Sequence, residues 1–382
     1  MNPIDHVIQG KSAVPRSFSR RDFGRLAAVV AGMGMIPIFD EPGLAQLSAV
    51  PGGIPEGAVK IDANENPLGP CPEAIDAAKA MAMNGGRYLY SQTDALVETL
   101  AEQERLSPAS IRAYPGSSLP LHHAVIAFTS PGKPLVIADP GYEAAERAAR
   151  FVGAPVHRVP LTSTCAHDVK AMAGASADAG MIYVCNPNNP TGSVTPRDQI
   201  EWLLNNKPRG AVVLLDEAYI HLSDEPRCCD LVSKGRDLII LRTFSKLYGM
   251  AGLRAGAAMA RPDLLEKMSG YYTGALPTPA MAAAVASLKS AGLVERRRRI
   301  IAGVRAETVE FVKDRDFDVT PSASNCFMIN VKRPGGEVIN ALRGENVYIG
   351  RIWPSWPTWV RVTVGTDAEM RRFRSAFAKV MA

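Results

Sequence analysis

Short apolar runs alternate with helical patterns through the middle of the chain, from about residue 111 to residue 260. We interpret as strands the runs at residues 134–138, 155–159, 181–185, 212–215, 238–241 and 256–259. Between them, residues 143–151 and 199–205 carry apolar side chains at the spacing of an amphipathic helix. This alternation predicts an α/β fold in which a mostly parallel sheet is flanked by helices on both faces.

The pattern changes beyond Pro277. Residues 279–314 have the spacing of one long helix, and residues 296–299 within it are four consecutive arginines. Because consecutive residues point to all sides of a helix and acidic residues lie on the same element, we interpret the arginines as a solvated face or a subunit rim. The remainder has strand patterns at 326–331 and 359–364 and helical patterns at 338–342 and 369–380. This part predicts a smaller α+β domain.

The first 45 residues have the order of features found in a twin-arginine signal peptide. Arg20 and Arg21 precede an apolar run at 26–39, which is shorter than the roughly 20 residues of a membrane-spanning helix. Small residues before position 46 suggest cleavage near Ala45, although the signal could also be retained. The sequence predicts export to the periplasm by the twin-arginine machinery; the alternative is an ordinary amphipathic N-terminal helix.

Length and composition limit the class of protein. The chain has 382 residues, enough for two or three domains. Its composition, with 47% hydrophobic and 21% charged residues, excludes a disordered chain. A net charge of +5 gives no indication of nucleic-acid binding, so small-molecule partners are favoured. The segments that we predict are a signal peptide at 1–45, an N-terminal arm at 46–72, a large domain at 73–283 and a small domain at 284–382.

The six cysteines do not form a recognisable framework. They are scattered, and neither a C-x-x-C nor an H-E-x-x-H pattern supplies the ligand spacing of a metal site. We therefore expect no metal and mostly inert thiols. The adjacent pair Cys228 and Cys229 is expected to lie in a surface loop.

Three polar residues follow predicted strands: Asn189, Asp216 and Lys246. Each interval between them is about one strand–helix–strand unit, so all three can reach the same edge of one sheet. A lysine in such a cleft, beside an acid and Tyr219, suits Schiff-base chemistry, because desolvation and nearby cations lower its pKa. The acid can keep a pyridine nitrogen protonated.

Short motifs in a fixed order extend this picture over most of the chain. They are DANENPLGP at 62–70, NPNNPTG at 186–192, LDEAY at 215–219, TFSK at 243–246 with Arg254 after it, and RVTVGT at 361–366. The ordered set resembles the fold-type I pyridoxal-phosphate aminotransferases, and within them the histidinol-phosphate aminotransferase branch. The resemblance implies that fold, pyridoxal 5′-phosphate as cofactor, and ping-pong transfer of an amino group from a small-molecule donor to a 2-oxo acid.

The resemblance also implies roles for individual residues. Lys246 would form a Schiff base with the cofactor and carry the proton of the substrate α-carbon, and Asp216 would pair with the ring nitrogen. Tyr219 and Asn189 would hydrogen-bond the phenolic oxygen, and Tyr142 would stack on the ring. The residues expected to bind the cofactor phosphate are Gly116, Ser117, Ser118, Thr243, Ser245 and Arg254. Tyr88 would reach the phosphate of a partner subunit, which implies a homodimer with shared active sites.

The same resemblance places residues at the substrate end. Arg361 would bind the substrate carboxylate or phosphate, Asn64 and Glu65 would lie near the substrate entrance, and the counterpart of Arg351 helps to bind substrate phosphate. Trp353 and the two tryptophans after it either line an apolar aromatic pocket or pack the small domain.

Two alternatives remain open from the sequence. A decarboxylase or lyase would use the same cofactor chemistry, because the electron sink serves any bond at the α-carbon. A non-catalytic exported binding protein could have kept the fold. Because histidine biosynthesis is cytoplasmic, an exported enzyme is expected to act on a different amine or amino acid.

Overall fold

A seven-stranded sheet forms the centre of the protein. The computed structural model describes residues 53–271 and 274–382; the predicted signal peptide lies outside these residues. In chain order the strands are β1 (Val59–Ile61), β2 (Ile111–Tyr114), β3 (Leu135–Asp139), β4 (Val156–Pro160), β5 (Met181–Cys185), β6 (Val212–Asp216), β7 (Leu238–Thr243), β8 (Gly256–Ala260), β9 (Cys326–Asn330), β10 (Val347–Ile349) and β11 (Trp359–Thr363). The central sheet has the order β2-β8-β7-β6-β5-β3-β4, and β8 alone runs antiparallel to its neighbours.

The predicted strands of this sheet are confirmed. All six occur within one or two residues of the expected bounds. Their central members are fully buried along their whole length, which explains why each is a continuous apolar run rather than an alternating one. Strand β8 lies between β2 and β7, and four of its five residues are glycine or alanine.

Helices cover the sheet and build the C-terminal part. In chain order they are α1 (Pro72–Ala82), α2 (Ser91–Glu104), α3 (Ser118–Phe128), α4 (Ala144–Phe151), α5 (Val169–Gly174), α6 (Arg197–Asn206), α7 (Cys229–Ser233), α8 (Pro262–Ser269), α9 (Thr278–Lys289), α10 (Leu293–Lys313), α11 (Gly335–Gly344) and α12 (Asp367–Met381). The last of these begins with a capping box in which Thr366 and Glu369 exchange hydrogen bonds. None of the helices in the described ranges is long and apolar enough to span a membrane.

The single long helix predicted over residues 279–314 is wrong. Two helices, α9 and α10, are separated by a break at residues 290–292. Gly292 has a φ of +66°, a left-handed conformation that ends a regular helix and that glycine adopts without strain. The chain thus changes direction between α9, which packs against α1, and α10.

From the sequence, we interpret the consecutive arginines in α10 as a solvated face or a subunit rim. In the structure they are not all solvated. Arg296 and Arg299 are exposed, but Arg297 is buried. Its guanidinium donates to the backbone oxygens of Leu247, at 3.0 Å, and Gly69, at 2.6 Å. The helix face that carries Arg297 therefore packs on the loop that follows β7, where carbonyl groups satisfy the charge.

The N-terminal arm joins the C-terminal part of the chain. Strand β1 pairs in parallel with β10, and β9 pairs antiparallel with β11. The predicted boundary at residue 283 falls inside α9 and stays a prediction. Cys228 and Cys229 are buried where α7 begins, so their assignment to a surface loop is wrong. Helix α7 packs against β7 and β8, and Cys229 Sγ lies 3.7 Å from Met259 Sδ in β8.

Candidate active site

A pocket opens where β5, β6 and β7 end. These strands are parallel, and Cys185 of β5 lies beside Asp216 of β6, so the residues that follow them meet at one edge of the sheet. The pocket has about 610 Å³ of empty space, part of it open to solvent. Its lining includes the predicted residues Glu65, Ser117, Ser118, Tyr142, Asn189, Asp216, Tyr219, Thr243, Ser245, Lys246 and Arg254. Four further lining residues, Ala63, Cys185, Ala218 and Ala251, were not predicted.

Lys246 is buried in this pocket, just beyond the end of β7. Its Nζ donates to the backbone oxygen of Asn64, at 3.0 Å, and to that of Ala63, at 3.4 Å. The same nitrogen lies 5.5 Å from the centre of the Tyr219 ring. The amine is thus held by uncharged oxygens and an aromatic ring inside a largely desolvated space, where a lysine can act as a nucleophile and a proton carrier.

Asp216 is the buried acid of the pocket. Its two carboxylate oxygens accept from the hydroxyl of Tyr183, at 3.0 Å, and from the backbone N–H of Ala218, at 3.1 Å. Burial raises the pKa of Asp216 to about 6, although both hydrogen bonds and the charge of Lys246 act to lower it. A carboxylate whose ionised form is this poorly solvated gains most from a cationic partner, such as a protonated ring nitrogen.

Asn64 does not belong to the lining of the pocket, although Ala63 and Glu65 on either side of it do, and its assignment to a substrate entrance stays a prediction. It is completely buried, with a φ of +52°, and its Nδ2 donates to the hydroxyl of Tyr219 at 3.0 Å. Its backbone N–H donates to Thr363 Oγ1 at 2.9 Å. Glu65 does line the pocket, partly exposed and paired with Lys60 at 3.1 Å.

One end of the pocket has the donors that a phosphate group needs. Thr243 Oγ1 donates to Ser245 Oγ at 2.9 Å, and Arg254 Nη1 approaches the same oxygen at 3.4 Å. Ser117 is the N-cap of α3 and makes no side-chain capping bond, so the first N–H groups of that helix remain for an anion. Gly116 has a φ of +90°, and a Cβ there would lie 2.5 Å from Arg254 Nη2. Any other residue would therefore have to displace the guanidinium and adopt a strained positive φ.

A buried ion pair ties together the strands that position these groups. Arg242 Nε donates to Glu217 Oε2 at 2.7 Å, and Arg242 Nη1 donates to Glu104 Oε1 at 3.2 Å. Glu217 follows Asp216 directly, and Arg242 directly precedes Thr243. The pair therefore fixes the carboxyl ends of β6 and β7 against each other.

Arg361 lies beside the pocket, completely buried. Its Nη1 donates to Asn189 Oδ1 at 2.9 Å, and its Nη2 donates to the backbone oxygen of Asp62. Since Asn189 lines the pocket, Arg361 is positioned one side chain away from the cavity.

Arg351 is bound to an acid of the large domain. Its guanidinium donates to both oxygens of Glu143, at 2.7 and 3.3 Å, and lies 4.7 Å from the centre of the Trp353 ring. Trp353 is buried, and its Nε1 donates to the backbone oxygen of Gly141 at 2.8 Å. None of the three tryptophans belongs to the lining of the pocket described above, and Trp353 contacts the large domain at Gly141.

Tyr88 is not brought to the pocket by its own chain. Its side chain is 72% exposed, and its ring stacks on that of Tyr90 at 6.0 Å.

Within the described residues, no group of three or more His, Cys, Asp or Glu side chains could hold a metal ion.

Some residues of the site were not found from the sequence. Tyr183 lies in the middle of the apolar strand β5, where its hydroxyl is the one polar signal. The carbonyl groups of Ala63 and Asn64 hold Lys246 through backbone atoms, which leave no trace in residue type.

Comparison with known proteins agrees with this fold. A model of the family "Aminotransferase class I and II" matches residues 56–377. The chain belongs to the class I and II aminotransferases. Two curated members of the family illustrate the range of relatives. Histidinol-phosphate aminotransferase 1 of Nitrosococcus oceani is 34% identical over 335 residues, which cover 85% of this chain and 89% of that protein. The aromatic amino acid aminotransferase of Rhodococcus jostii is 32% identical over 336 residues, covering 86% and 93%.

Solved structures show the same architecture for this aminotransferase. The histidinol-phosphate aminotransferase of Sinorhizobium meliloti in complex with pyridoxal 5′-phosphate superposes with a TM-score of 0.81 and 25% identity, covering 90% of this chain and 95% of that one. A putative histidinol-phosphate aminotransferase from Erwinia carotovora atroseptica has the same TM-score at 29% identity, covering 85% and 96%. The predicted fold type I and the pyridoxal-phosphate-dependent aminotransferase activity are confirmed.

The residues of the pocket fit pyridoxal phosphate. Hydroxyl groups, a guanidinium and a helix N-terminus stand at one end, and the buried carboxyl of Asp216 provides a partner for a ring nitrogen. Gly116 leaves room for the guanidinium of Arg254, and Lys246 supplies the amine. These two residues complete the groups that the cofactor needs.

Proposed function

We propose that this pocket performs transamination in two half-reactions, with Lys246 as the residue that moves the proton. When bound, pyridoxal phosphate supplies an electron-withdrawing ring that makes the α-hydrogen of an amino acid acidic. The observation that carries the proposal is the burial of Lys246 and Asp216 in one pocket with groups suited to a phosphate.

Each neighbour of Lys246 has a defined task in this proposal. Asp216 holds a proton on the ring nitrogen, because its buried carboxylate is stabilised by a cation. Tyr219 orients the phenolic oxygen through a hydroxyl that Asn64 holds in place. Arg254, Ser245 and the start of α3 bind the phosphate.

Absorbance spectroscopy tests the proposal. The protein loaded with pyridoxal phosphate is mixed with an amino donor and then with a 2-oxo acid, and Lys246→Ala is treated in the same way. We expect the wild-type band to change with the donor and to return with the 2-oxo acid, and the variant to do neither. Lys379→Ala is the matched control, since Lys379 pairs with Glu345 on the surface and should behave as wild type. A band that cycles in Lys246→Ala would refute the assignment, and release of carbon dioxide or ammonia without return of the band would indicate a decarboxylase or lyase.

We also propose a homodimer in which Tyr88 completes the site of the partner. Tyr88, Tyr90 and Met83 expose large apolar surface close together in sequence, as expected for a covered subunit contact. Mixing inactive Lys246→Ala with Tyr88→Ala subunits tests this, because a hybrid dimer has one site with both residues intact. Random exchange should restore about a quarter of wild-type activity if sites are shared across a two-fold axis. No gain over the separate variants would rule out a shared site.

Export by the twin-arginine route is part of the same proposal and is supported by the sequence of residues 1–45. Cell fractionation of the full chain and of the double variant Arg20→Lys, Arg21→Lys tests it. We expect activity in the periplasm for the wild-type chain and its retention in the cytoplasm for the variant. Activity confined to the cytoplasm for both would reject export.

A further inference from the structure

A tyrosine in the middle of β5 contacts the acid of the pocket. The hydroxyl of Tyr183 donates to Asp216 Oδ2 at 3.0 Å, and the residue is 2% exposed. Cys185 of β5 lies beside Asp216 of β6 in the register of the sheet, and residues two apart in a strand point to the same face. Tyr183 therefore points to the face that carries Cys185 and Asp216. Those two residues line the pocket, whereas Tyr183 reaches it only through Asp216.

The hydroxyl of Tyr183 stands out in its surroundings. Met181, Ile182 and Val184 make the neighbouring positions of the strand apolar and buried, and phenylalanine would fill the space of the ring without a polar atom. A buried hydroxyl gives up its hydrogen bonds to water, which is unfavourable unless a protein group replaces them. The carboxylate of Asp216 is that group, so this contact accounts for a tyrosine in the strand.

Tyr183 and a backbone N–H hold the two oxygens of Asp216. The N–H of Ala218 donates to Oδ1 at 3.1 Å, and the hydroxyl of Tyr183 donates to Oδ2. Burial and, after it, the charge of Asp216 raise the pKa of Tyr183 well above its ordinary value, so the hydroxyl keeps its proton and remains a donor. The two bonds fix the rotation of the carboxylate, which determines the direction in which it can meet a ring nitrogen.

We propose that Tyr183 is a positioning residue that acts through Asp216: its hydroxyl orients the carboxylate and stabilises its ionised form, so that the proton between this carboxylate and the cofactor ring stays on the ring nitrogen. This inference rests on the proposed function. A hydrogen bond donated to an ionised carboxylate makes it a weaker base. Without the donor, the N–H bond of the ring would break and an O–H bond on Asp216 would form. The neutral ring would then withdraw electrons from the substrate α-carbon less strongly.

Other ionisable groups also act on Asp216. The charge of Lys246 favours the ionised carboxylate, and that of Glu217 opposes it. Cys185 is a neutral thiol, because burial and then the charge of Asp216 raise its pKa well above the ordinary value. Burial raises the pKa of Asp216 to about 6, and the bond from Tyr183 is the largest of the effects that lower it. A hydrogen bond to a charged group is strong enough to change proton affinity about tenfold, or by about one pH unit.

Nitrogen-15 NMR tests the proposal in the loaded enzyme. Wild type and Tyr183→Phe are loaded with pyridoxal phosphate labelled at the ring nitrogen, whose chemical shift reports whether that nitrogen is protonated. We expect the protonated signal in wild type and a shift towards the neutral position in Tyr183→Phe. Tyr348→Phe is the matched control, because it removes the hydroxyl of a buried tyrosine in β10 that does not line the pocket. Its signal should equal that of wild type.

A second measurement follows the carboxylate without the cofactor. Cofactor-free wild type and Tyr183→Phe are unfolded in urea at a series of pH values, each beside its own Asp216→Asn counterpart. A loss of packing lowers the stability of both members of a pair and cancels in their difference. The advantage of the asparagine protein grows with pH until the carboxyl is ionised in the folded state. It should level off near about pH 6 in the wild-type pair, and about one pH unit higher in the Tyr183→Phe pair.

Each measurement can overturn the inference. A ring nitrogen that is as protonated in Tyr183→Phe as in wild type would show that the hydroxyl does not determine the position of the proton. The same levelling pH in both pairs would show that the hydroxyl does not stabilise the carboxylate. Either result would leave transamination by Lys246 in place. Failure of every amino donor to change the absorbance of the wild-type enzyme would instead overturn the proposed function, and this inference with it.

Discussion

Replacing Asp216 with asparagine should stabilise the cofactor-free protein at neutral and alkaline pH. Burial raises the pKa of this carboxyl to about 6 from an ordinary value of 3.8. This difference between the two pKa values corresponds to about 3 kcal/mol. The unfolding free energy falls by that amount when the carboxyl ionises in the folded protein. Asparagine has the same shape, cannot ionise, and can still accept the hydrogen bond of the Ala218 N–H.

The sign follows from the order of the two pKa values. Below about pH 4 the carboxyl is protonated in both states and the substitution changes little. Between about pH 4 and about pH 6 the unfolded chain loses its proton first, so the unfolding free energy of the wild-type protein falls as pH rises. Above about pH 6 the whole penalty is present in the wild-type protein and absent from Asp216→Asn.

Urea unfolding of both proteins without cofactor, at pH 8 and at pH 4, measures the effect. We expect Asp216→Asn to be more stable by up to about 3 kcal/mol at pH 8 and equal at pH 4. Asp178→Asn, at an exposed position, is the control and should show no pH-dependent difference. With pyridoxal phosphate the advantage should disappear, because the carboxylate then has its cationic partner. Equal stability of variant and wild type at both pH values would refute the reasoning.

Three further substitutions test the framework around the pocket. Gly116→Ala should weaken binding of pyridoxal phosphate, measured by fluorescence titration, because its Cβ would lie 2.5 Å from a nitrogen of Arg254; unchanged affinity would contradict the close approach. Arg242→Met leaves the buried carboxylate of Glu217 without its partner and should lower the unfolding free energy by about 3–5 kcal/mol in urea. Thr366→Ala removes a capping box and should cost about 1 kcal/mol in the same assay with activity unchanged.

The central sheet could be predicted because its strands are buried on both faces. Residues 181–185 and 212–216 are fully buried, so each stands out as a continuous apolar run. Strands β1 and β10 were not predicted. Each has only three residues, and the two strands that pair with each other are far apart in the sequence. The break at Gly292 was missed because a single glycine is tolerated in many helical patterns.

The candidate site also contains some residues that the sequence revealed and some contacts that it did not. Asp216 and Lys246 follow strand ends, a position that sequence spacing reveals. The partnership of Glu143 with Arg351 joins positions that are 208 residues apart and depends on how two parts of the chain pack. The depth of Asn64 could not be predicted either, because its burial is decided by contacts with Thr363 and Tyr219 rather than by its own polarity.

The contacts of Asn64 have a consequence for biosynthesis. Its carbonyl accepts from Lys246, and its N–H donates to Thr363, which follows every strand of the central sheet in the chain. Because a nascent chain emerges from its N-terminus onward, the surroundings of Lys246 are complete only after residue 363 has left the ribosome. The sheet can begin to form earlier, but capture of the cofactor in its final geometry is a late event of maturation. Truncated chains that retain every strand of the central sheet would therefore still lack a finished lysine environment.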